Sequence, residues 1–434
     1  MNCGRFFWKI AVASSFTLAS GPAHAADPSH WNLAGSYTTR VSTACTWFVK
    51  PSGDDHAGGR SLAEALRTPK RAVALAKPGD VVCFDKGTYP TLAVRKVRAT
   101  AEAPLVFRTV PGAERETIFT NGSLEYGGAI AVENASHVHF YDLRLVHSQT
   151  GISVVSSSNV RIEGLWIEDL GQEGIHVGRK HNYDGSERFT GPPSENVDVV
   201  GNTVRDTGKK TARYGEGIYI GTGQFTGDDT HHVFVGYNRI EDVRAEAIEI
   251  KTFTHDVVVR GNLILGGSHF FHAAITVAIK PVSYPDGNYL IEDNRVYNYA
   301  RTETESVCGI GVGHGTTVVR NNLIWNIPGG SGICTFTTFG NPEARDVLLE
   351  NNTVWNPGGP SISLHDGDGR TGVTDLLGAV TLRGNLIHDG DSALAGSFVG
   401  PITRLADAGG GPGSGFQRAD GVGADVARIL ASGL

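Results

Sequence analysis

A short phrase returns along this chain at intervals too regular for chance: an asparagine leading a brief aliphatic strand. It reads "GNTV" at Asn202, "YNRI" at Asn238, "GNLI" at Asn262, "DNRV" at Asn294, "NNLI" at Asn322, "NNTV" at Asn352 and "GNLI" at Asn385. The successive spacings are 36, 24, 32, 28, 30 and 33 residues. Two earlier turns keep the strand without the asparagine, "DLRL" at Leu143 and "GLWI" at Leu165. Between these anchors runs a second strand, a small residue followed by Ile-x-aliphatic. It is "GISV" at Gly151, "GIHV" at Gly174, "GIYI" at Gly217, "AIEI" at Ala247, "AITV" at Ala274, "GIGV" at Gly309 and "SISL" at Ser361. A third strand precedes each asparagine, as in "NVDVVGN", "HVFVGYN" and "DVVVRGN".

Three short period-2 strands per turn of roughly 22 to 37 residues, with Gly and Asn at the corners and little helical periodicity, predict a parallel β-helix, an all-β solenoid. Asparagine at a fixed corner suits such a stack, because each side-chain amide bonds the next rung and tolerates the left-handed backbone of a bend. A β-propeller or a sandwich needs antiparallel strands joined by tight hairpins, which this unit lacks. The open end of a coil stack must be capped. The segment "SLAEALRTPKRAVALA", residues 61 to 76, has apolar residues at near-helical spacing and is expected to form an N-terminal capping helix. The organisation expected is a signal peptide over 1–25, a cap region over 26–100, the β-helix over 101–405, and a Gly-rich linker with a short terminal helix over 406–434.

Residues 1–25 carry Arg5 and Lys9, then the apolar run "IAVASSFTLAS", then "AHA" ending at Ala25, the order of a cleaved secretory signal. The apolar run is too short to span a bilayer, and no later segment approaches one. A secreted or periplasmic protein is therefore expected. Cys3 departs with the signal and leaves Cys45, Cys83, Cys308 and Cys334, an even number suited to two disulfides. Their order favours Cys45 with Cys83 and Cys308 with Cys334, with the other two pairings and free thiols open. A formal charge of -7 argues against nucleic acid as partner. The lone "GIGVGHG" near Gly309 sits in a coil rung and reads as corner glycine, not a phosphate loop. A monomer is expected.

Since the interior of a β-helix is filled, chemistry must sit on an outward strand face. Successive rungs of the second strand read "EGIHVG", "EGIYIG", "EAIEIK" and "AAITVA". Period 2 sends Ile and Val inward and sets His176, Tyr219, Glu249 and Thr276 in an outward column. Lys251 follows one step along, beside Gly178, Gly221 and Ala278, and reads as an exposed ammonium open to a polymer; pairing with Glu249 on the surface is the plainer reading. Glu173, Glu216 and Glu246 recur before the small residue on three consecutive turns. At a rung spacing of about 4.8 Å two such charges repel by roughly 3 kcal/mol at an effective dielectric near 20. A cation should sit among them. Calcium, which takes six to eight oxygen ligands, is the natural candidate, and Lys251 or Arg213 the alternative. Glu246 shares parity with Ile248, so it reaches the surface only if the strand bends at Ala247. Two insertions, "RKHNYDGSERFTGPP" and "TGKKTARYGE", supply Lys180, Tyr183, Arg188, Lys209, Lys210, Arg213 and Tyr214. Cations for uronate carboxylates and rings for sugar faces suit an acidic sugar chain, and plain solvated loops stay open as well.

The coil pattern over about residues 100 to 390 resembles the pectate-lyase-like right-handed parallel β-helix proteins, and "FVKPSGDD" and "AKPGDVVCFDKGTY" resemble their N-terminal cap segment. More narrowly, "EAIEIK" resembles the strand of polysaccharide lyase family nine, with an acidic residue five before the catalytic lysine, and that of family six, with a calcium-binding glutamate at the same offset. The resemblance implies Lys251 as Brønsted base and Glu246 as calcium ligand. It departs from family six at Arg244, where that family has an acidic residue, and in "HFFHAAITV", which lacks its next-rung arginine; the acidic pair typical of family nine one rung away is not evident either.

The implied reaction is β-elimination on a polyuronate. Neutralising the uronate carboxylate acidifies the neighbouring proton, Lys251 removes it, and His272, Tyr219 or water protonates the leaving oxygen. The candidate site comprises Lys251, His272 and Tyr219 for catalysis, His176, Arg188, Arg213 and Tyr214 for the substrate, and Glu216, Glu246 and Glu249 for the metal. Three other classes remain open at this stage: a glycoside hydrolase using Glu246 with Glu249 or Asp228 with Asp229, a C5-epimerase, and a non-catalytic carbohydrate-binding or structural β-helix.

Overall fold

The computed structural model describes residues 44–181, 189–211, 214–222, 227–251, 253–266, 268–269, 273–277, 287–301, 308–313, 316–335, 347–364, 380–388, 394–395, 402–405 and 408–410. The expected signal segment and terminal helix lie outside them.

The coil repeat becomes three parallel sheets. The first has thirteen strands, from Trp47–Val49 through Glu195–Val200, His231–Gly236 and His255–Arg260 to Ile402–Leu405, each paired with its equivalent one turn away. The second contains Trp166–Leu170, Thr203–Arg205, Arg239–Glu241, Leu263–Leu265 and Arg295–Tyr297, and the third Ile175–Gly178, Ile218–Ile220, Ile248–Ile250 and Ala273–Val277. The long strand Arg144–Val155 runs through both and joins them. The fold is a right-handed parallel β-helix, as the repeat predicts. Ala408–Gly410 still pairs in the second sheet with Leu386–His388, beyond position 405.

The inward file of the third sheet, Ile175, Ile218, Ile248, Ile275 and Ile310, is fully buried, as is the Val197, Val233 and Val257 file of the first. Each such side chain contributes roughly 1.5–3 kcal/mol. The small residue heading each third-sheet strand is set by packing: a Cβ on Gly174 would lie 2.4 Å from Val204 Cγ1 and 2.5 Å from the Gly217 carbonyl oxygen.

The asparagines form a buried ladder. Each Nδ2 donates to the Oδ1 of the next rung at 2.9 or 3.0 Å, from Asn202 to Asn385. A second Nδ2 bond goes to a first-sheet carbonyl, such as Val199 from Asn238 and Val235 from Asn262. The left-handed backbone falls one residue earlier than the pattern implies, on Gly201, Tyr237, Gly261, Asp293, Asn321, Asn351 and Gly384. The preceding residue takes the bend, which frees the asparagine to turn its amide inward.

The expected helix over 61–76 is confined to Pro69–Leu75. Pro69 has no N–H to donate and disfavours helical backbone at Thr68, so no helix runs through it; Thr68 caps the helix instead, its Oγ1 accepting from the Arg71 N–H. Cys45 is bonded to Cys83 and Cys308 to Cys334, the pairings that the sequence order favours. Among the described residues no helix is long and apolar enough to cross a membrane.

Candidate active site

The third sheet places Ser153, His176, Tyr219, Glu249 and Thr276 in one outward file, rung by rung. Glu216 and Glu246 stand in equivalent positions before their strands. The Gly174 N–H donates to the Glu216 carbonyl at 2.9 Å and the Gly217 N–H to the Glu246 carbonyl at 3.0 Å. The bend needed at Ala247 is present, and the strand begins only at Ile248. Glu246 is thereby released from the inward parity it shares with Ile248. Carboxylate oxygens of Glu216, Glu246 and Glu249 then lie within 4.8 Å of one another, all buried.

The bend is held from two turns away by a residue that the sequence reading missed. Tyr299, fully buried, donates its hydroxyl to the Ala245 carbonyl at 2.6 Å. Burial first, then the nearby Glu246 and Glu216 charges, push this phenol well above its ordinary range. No local signal marks Tyr299, because its partner lies 54 residues back.

Lys251 departs from expectation. It is not an open ammonium among glycines: its side chain is only 14% exposed, ion-paired to Glu249 and set over the Tyr219 ring at 4.9 Å from the centroid. Gly221, at φ +93, explains the change. A Cβ there would lie 2.8 Å from Lys251 Cβ, so the glycine leaves room for the lysine to fold back over the preceding rung. Burial pulls the ammonium down, but the charges of Glu249, Tyr219 and Glu246 outweigh it and hold the lysine above its usual range. In the opposite sense, burial and then Glu249 push both Glu216 and Glu246 well above the usual carboxylate range, helped by Glu173 and by Glu216 respectively. Three buried carboxylates thus face one ammonium. The balance is met by protons or by a cation, and an all-oxygen acidic donor set fits calcium.

Other expected residues are corrected by their surroundings. His176 is buried with both ring nitrogens engaged, Nε2 at 3.1 Å from the Gly221 carbonyl and Nδ1 at 3.4 Å from Ser153 Oγ, so it fixes the turn rather than meeting a ligand. Lys180 is paired with Glu133, Lys209 bridges Asp169 and Asp206, and Lys210 pairs with Glu125. These cations neutralise the chain's own carboxylates before any substrate's. Asp228 is buried and accepts from the Thr230 and Arg179 N–H groups, and Asp229 pairs with Arg179 at 2.7 Å, which removes them as a hydrolytic pair. Tyr214 is half exposed, and Tyr219 half-buried in its file. His272, Arg188, Arg213 and Tyr183 lie outside the described residues.

No family model matches the chain. The pectate lyase PEL9 of Emericella nidulans is 26% identical over 166 residues, 35% of this chain and 37% of that protein. The match thus spans little more than a third of the curated relative's length. Among solved structures, a lacto-N-biosidase of glycoside hydrolase family 136 from Eubacterium ramulus aligns over 82% of this chain and 67% of its own, at 13% identity and a TM-score of 0.52. The fold of this chain is that of the pectate-lyase-like right-handed parallel β-helix proteins. An alginate lyase from Paenibacillus sp. str. FPU-7 aligns over 79% of this chain and 97% of its own, at 18% identity and a TM-score of 0.49. A fold of this kind does not by itself choose the chemistry, which rests on the side chains of the rung that carries Glu249.

Proposed function

We propose that this chain is a secreted polysaccharide lyase that cleaves a uronate-containing polysaccharide by β-elimination, with Glu216, Glu246 and Glu249 holding calcium and Lys251 as the base. The observation that carries the reading is the convergence of three buried carboxylates with one ammonium at the head of the Ile248–Ile250 strand. The partial match to a pectate lyase supports it, and the two disulfides support an oxidising compartment outside the cytoplasm.

Held by Glu216, Glu246 and Glu249, calcium would supply positive charge against a uronate carboxylate. The remaining work belongs to the side chains. Lys251 is a poor base while Glu249 faces it, since the pair holds its proton; with Glu249 and Glu246 both engaged by a cation, two of the charges that raise the amine are offset and burial draws it down. Lys251 then takes the C5 proton, the electron pair forms the C4–C5 double bond, and the C4–O bond breaks. Tyr219, whose ring lies against the Lys251 ammonium, then protonates the leaving oxygen in this reading.

The test is the mature protein on a panel of polyuronates, with calcium and then with chelator, following the ultraviolet absorbance of unsaturated product. Absorbance that disappears in Lys251→Ala, with the melting transition retained, is expected. Unchanged turnover in that variant removes Lys251 from the mechanism, and silence across the panel removes the lyase. One observation favours a second reading. Glu246, pushed above the usual carboxylate range by burial and then by Glu249, stands beside that second carboxylate, and a glycoside hydrolase works with such a pair. Hydrolysis yields reducing ends without the chromophore.

A further inference from the structure

We propose that the outer face of the second sheet is a separate carbohydrate-binding surface that takes a neutral sugar chain. Its centre is an outward file on consecutive rungs, Leu265, Tyr297, Trp325 and Trp355, aligned residue for residue by the strand pairing. Inward neighbours on the same strands, Ile264, Val296, Ile324 and Val354, fill the core, so this file points outward. The Tyr297 and Trp325 centroids are 6.1 Å apart and their planes tilted by 37°. That is wider than the rung spacing of about 4.8 Å and too splayed for flush stacking, so ring faces are left as well as edges. Trp325 and Trp355 are partly exposed.

Beside this file opens a groove of about 640 Å³. Its walls combine Tyr297 and Leu265 with Arg205, Arg239, Glu168 and Glu241, hydrogen-bonding groups of both kinds next to apolar faces. Such a mixture suits sugar hydroxyls and sugar C–H faces together. Tyr297 adds an independent sign. It is 7% exposed, and its hydroxyl is buried with no hydrogen-bond partner. An orphaned buried hydroxyl costs about 1–3 kcal/mol unless a ligand or water completes it.

Charge decides the class of glycan. With Asp206 and Asp242 the groove has four carboxylates against two guanidiniums; Glu168 is shared between Arg144 and Arg205, and Asp206 is paired with Lys209, so its cations are already taken by the chain's own carboxylates. A polyuronate finds no surplus cation here, whereas a neutral chain needs none. The surface therefore does not depend on the lyase reading of the third sheet. It lies one corner away, since Glu241 and Asp242 lead directly into the bend that carries Glu246.

The test is calorimetric titration of the full chain with cellohexaose, mannohexaose and xylohexaose, and with hexagalacturonate as the acidic control. Binding of at least one neutral hexasaccharide is expected, weakened about tenfold in Trp325→Ala and separately in Trp355→Ala, each loss being worth roughly one aromatic contact. Tyr297→Phe, which keeps the ring and removes the orphaned hydroxyl, guards against misfolding of the tryptophan variants and should weaken the same ligand. Failure of every neutral hexasaccharide to bind, or binding that all three variants leave unchanged, overturns the proposal. Tighter binding of hexagalacturonate that depends on these residues overturns its neutral character.

Discussion

Replacing Glu246 by Gln should change the protein's stability in opposite directions with and without calcium. Carboxylate oxygens of Glu216, Glu246 and Glu249 lie within 4.8 Å of one another, and two charges at that distance repel by about 3.5 kcal/mol at an effective dielectric near 20. Lys251 offsets one of the three charges. Proton uptake by Glu216 and Glu246 relieves part of the rest, so the metal-free fold carries a residual strain of about 1–3 kcal/mol. In chelator at pH 8, Glu246→Gln removes that strain and should raise Tm by a few degrees, at about 2–4 °C per kcal/mol for a domain of a few hundred residues. In calcium the order reverses. The wild type gains about 2.7 kcal/mol at a hundredfold excess over Kd, and the variant, short of one donor, gains much less. The pH dependence follows from the same raised pKa values. A carboxyl whose folded pKa exceeds its ordinary 4.5 contributes stability that is complete below 4.5 and lost as pH rises through the folded value. Metal-free wild type should therefore lose stability as pH rises above about 4.5, and Glu246→Gln should lose less. Differential scanning calorimetry across pH, with calcium or chelator, reads all three effects. A variant less stable than wild type in chelator and equally responsive to calcium would refute the reasoning.

Asn262→Ala breaks the ladder in its middle. It strands the Asn238 N–H, which donates to Asn262 Oδ1 at 3.0 Å, and the Val235 carbonyl, which accepts from Nδ2 at 2.9 Å; the expected loss of about 3–5 kcal/mol is read by denaturant unfolding. His139 is pushed down to about 4, by burial first and then by Arg161, so its contribution is complete above its ordinary 6.5 and lost as pH falls from there toward 4. Acid unfolding of His139→Gln should be flatter over that window, and an unchanged profile would show that the imidazole does not set it.

The coil was legible because its determinants are local and repeated. A buried amide every rung and an inward aliphatic file leave a period that any stretch of the chain repeats. What the period does not encode is backbone conformation at single residues. The pattern marks Asn238, while the left-handed bend sits on Tyr237. Helical spacing over 61–76 likewise outran the backbone, because Pro69 starts the helix. At the site, period 2 gave the correct outward file but not the behaviour of a side chain past the end of its strand. Lys251 follows Ile250, and from there the space left by Gly221 decides that it folds back onto Tyr219 and Glu249.

The same distinction explains why the charged cluster sits at a corner. Within a strand Glu246 would point into a core of isoleucine and valine, where an ionised carboxylate costs several kcal/mol. A flat outward face, in turn, would space successive carboxylates one rung apart and leave them in water. The bend from Arg244 to Ala247 brings Glu246 across to Glu249 instead, and Tyr299 fixes that bend through the Ala245 carbonyl rather than by touching solvent. Position and charge are thereby set by different residues. The carboxylates supply the charge, whereas the tyrosine, which adds no charge of its own, holds the bend that brings them together. A coil that keeps its rungs constant and varies only its corners can acquire such a centre without disturbing the core beneath it.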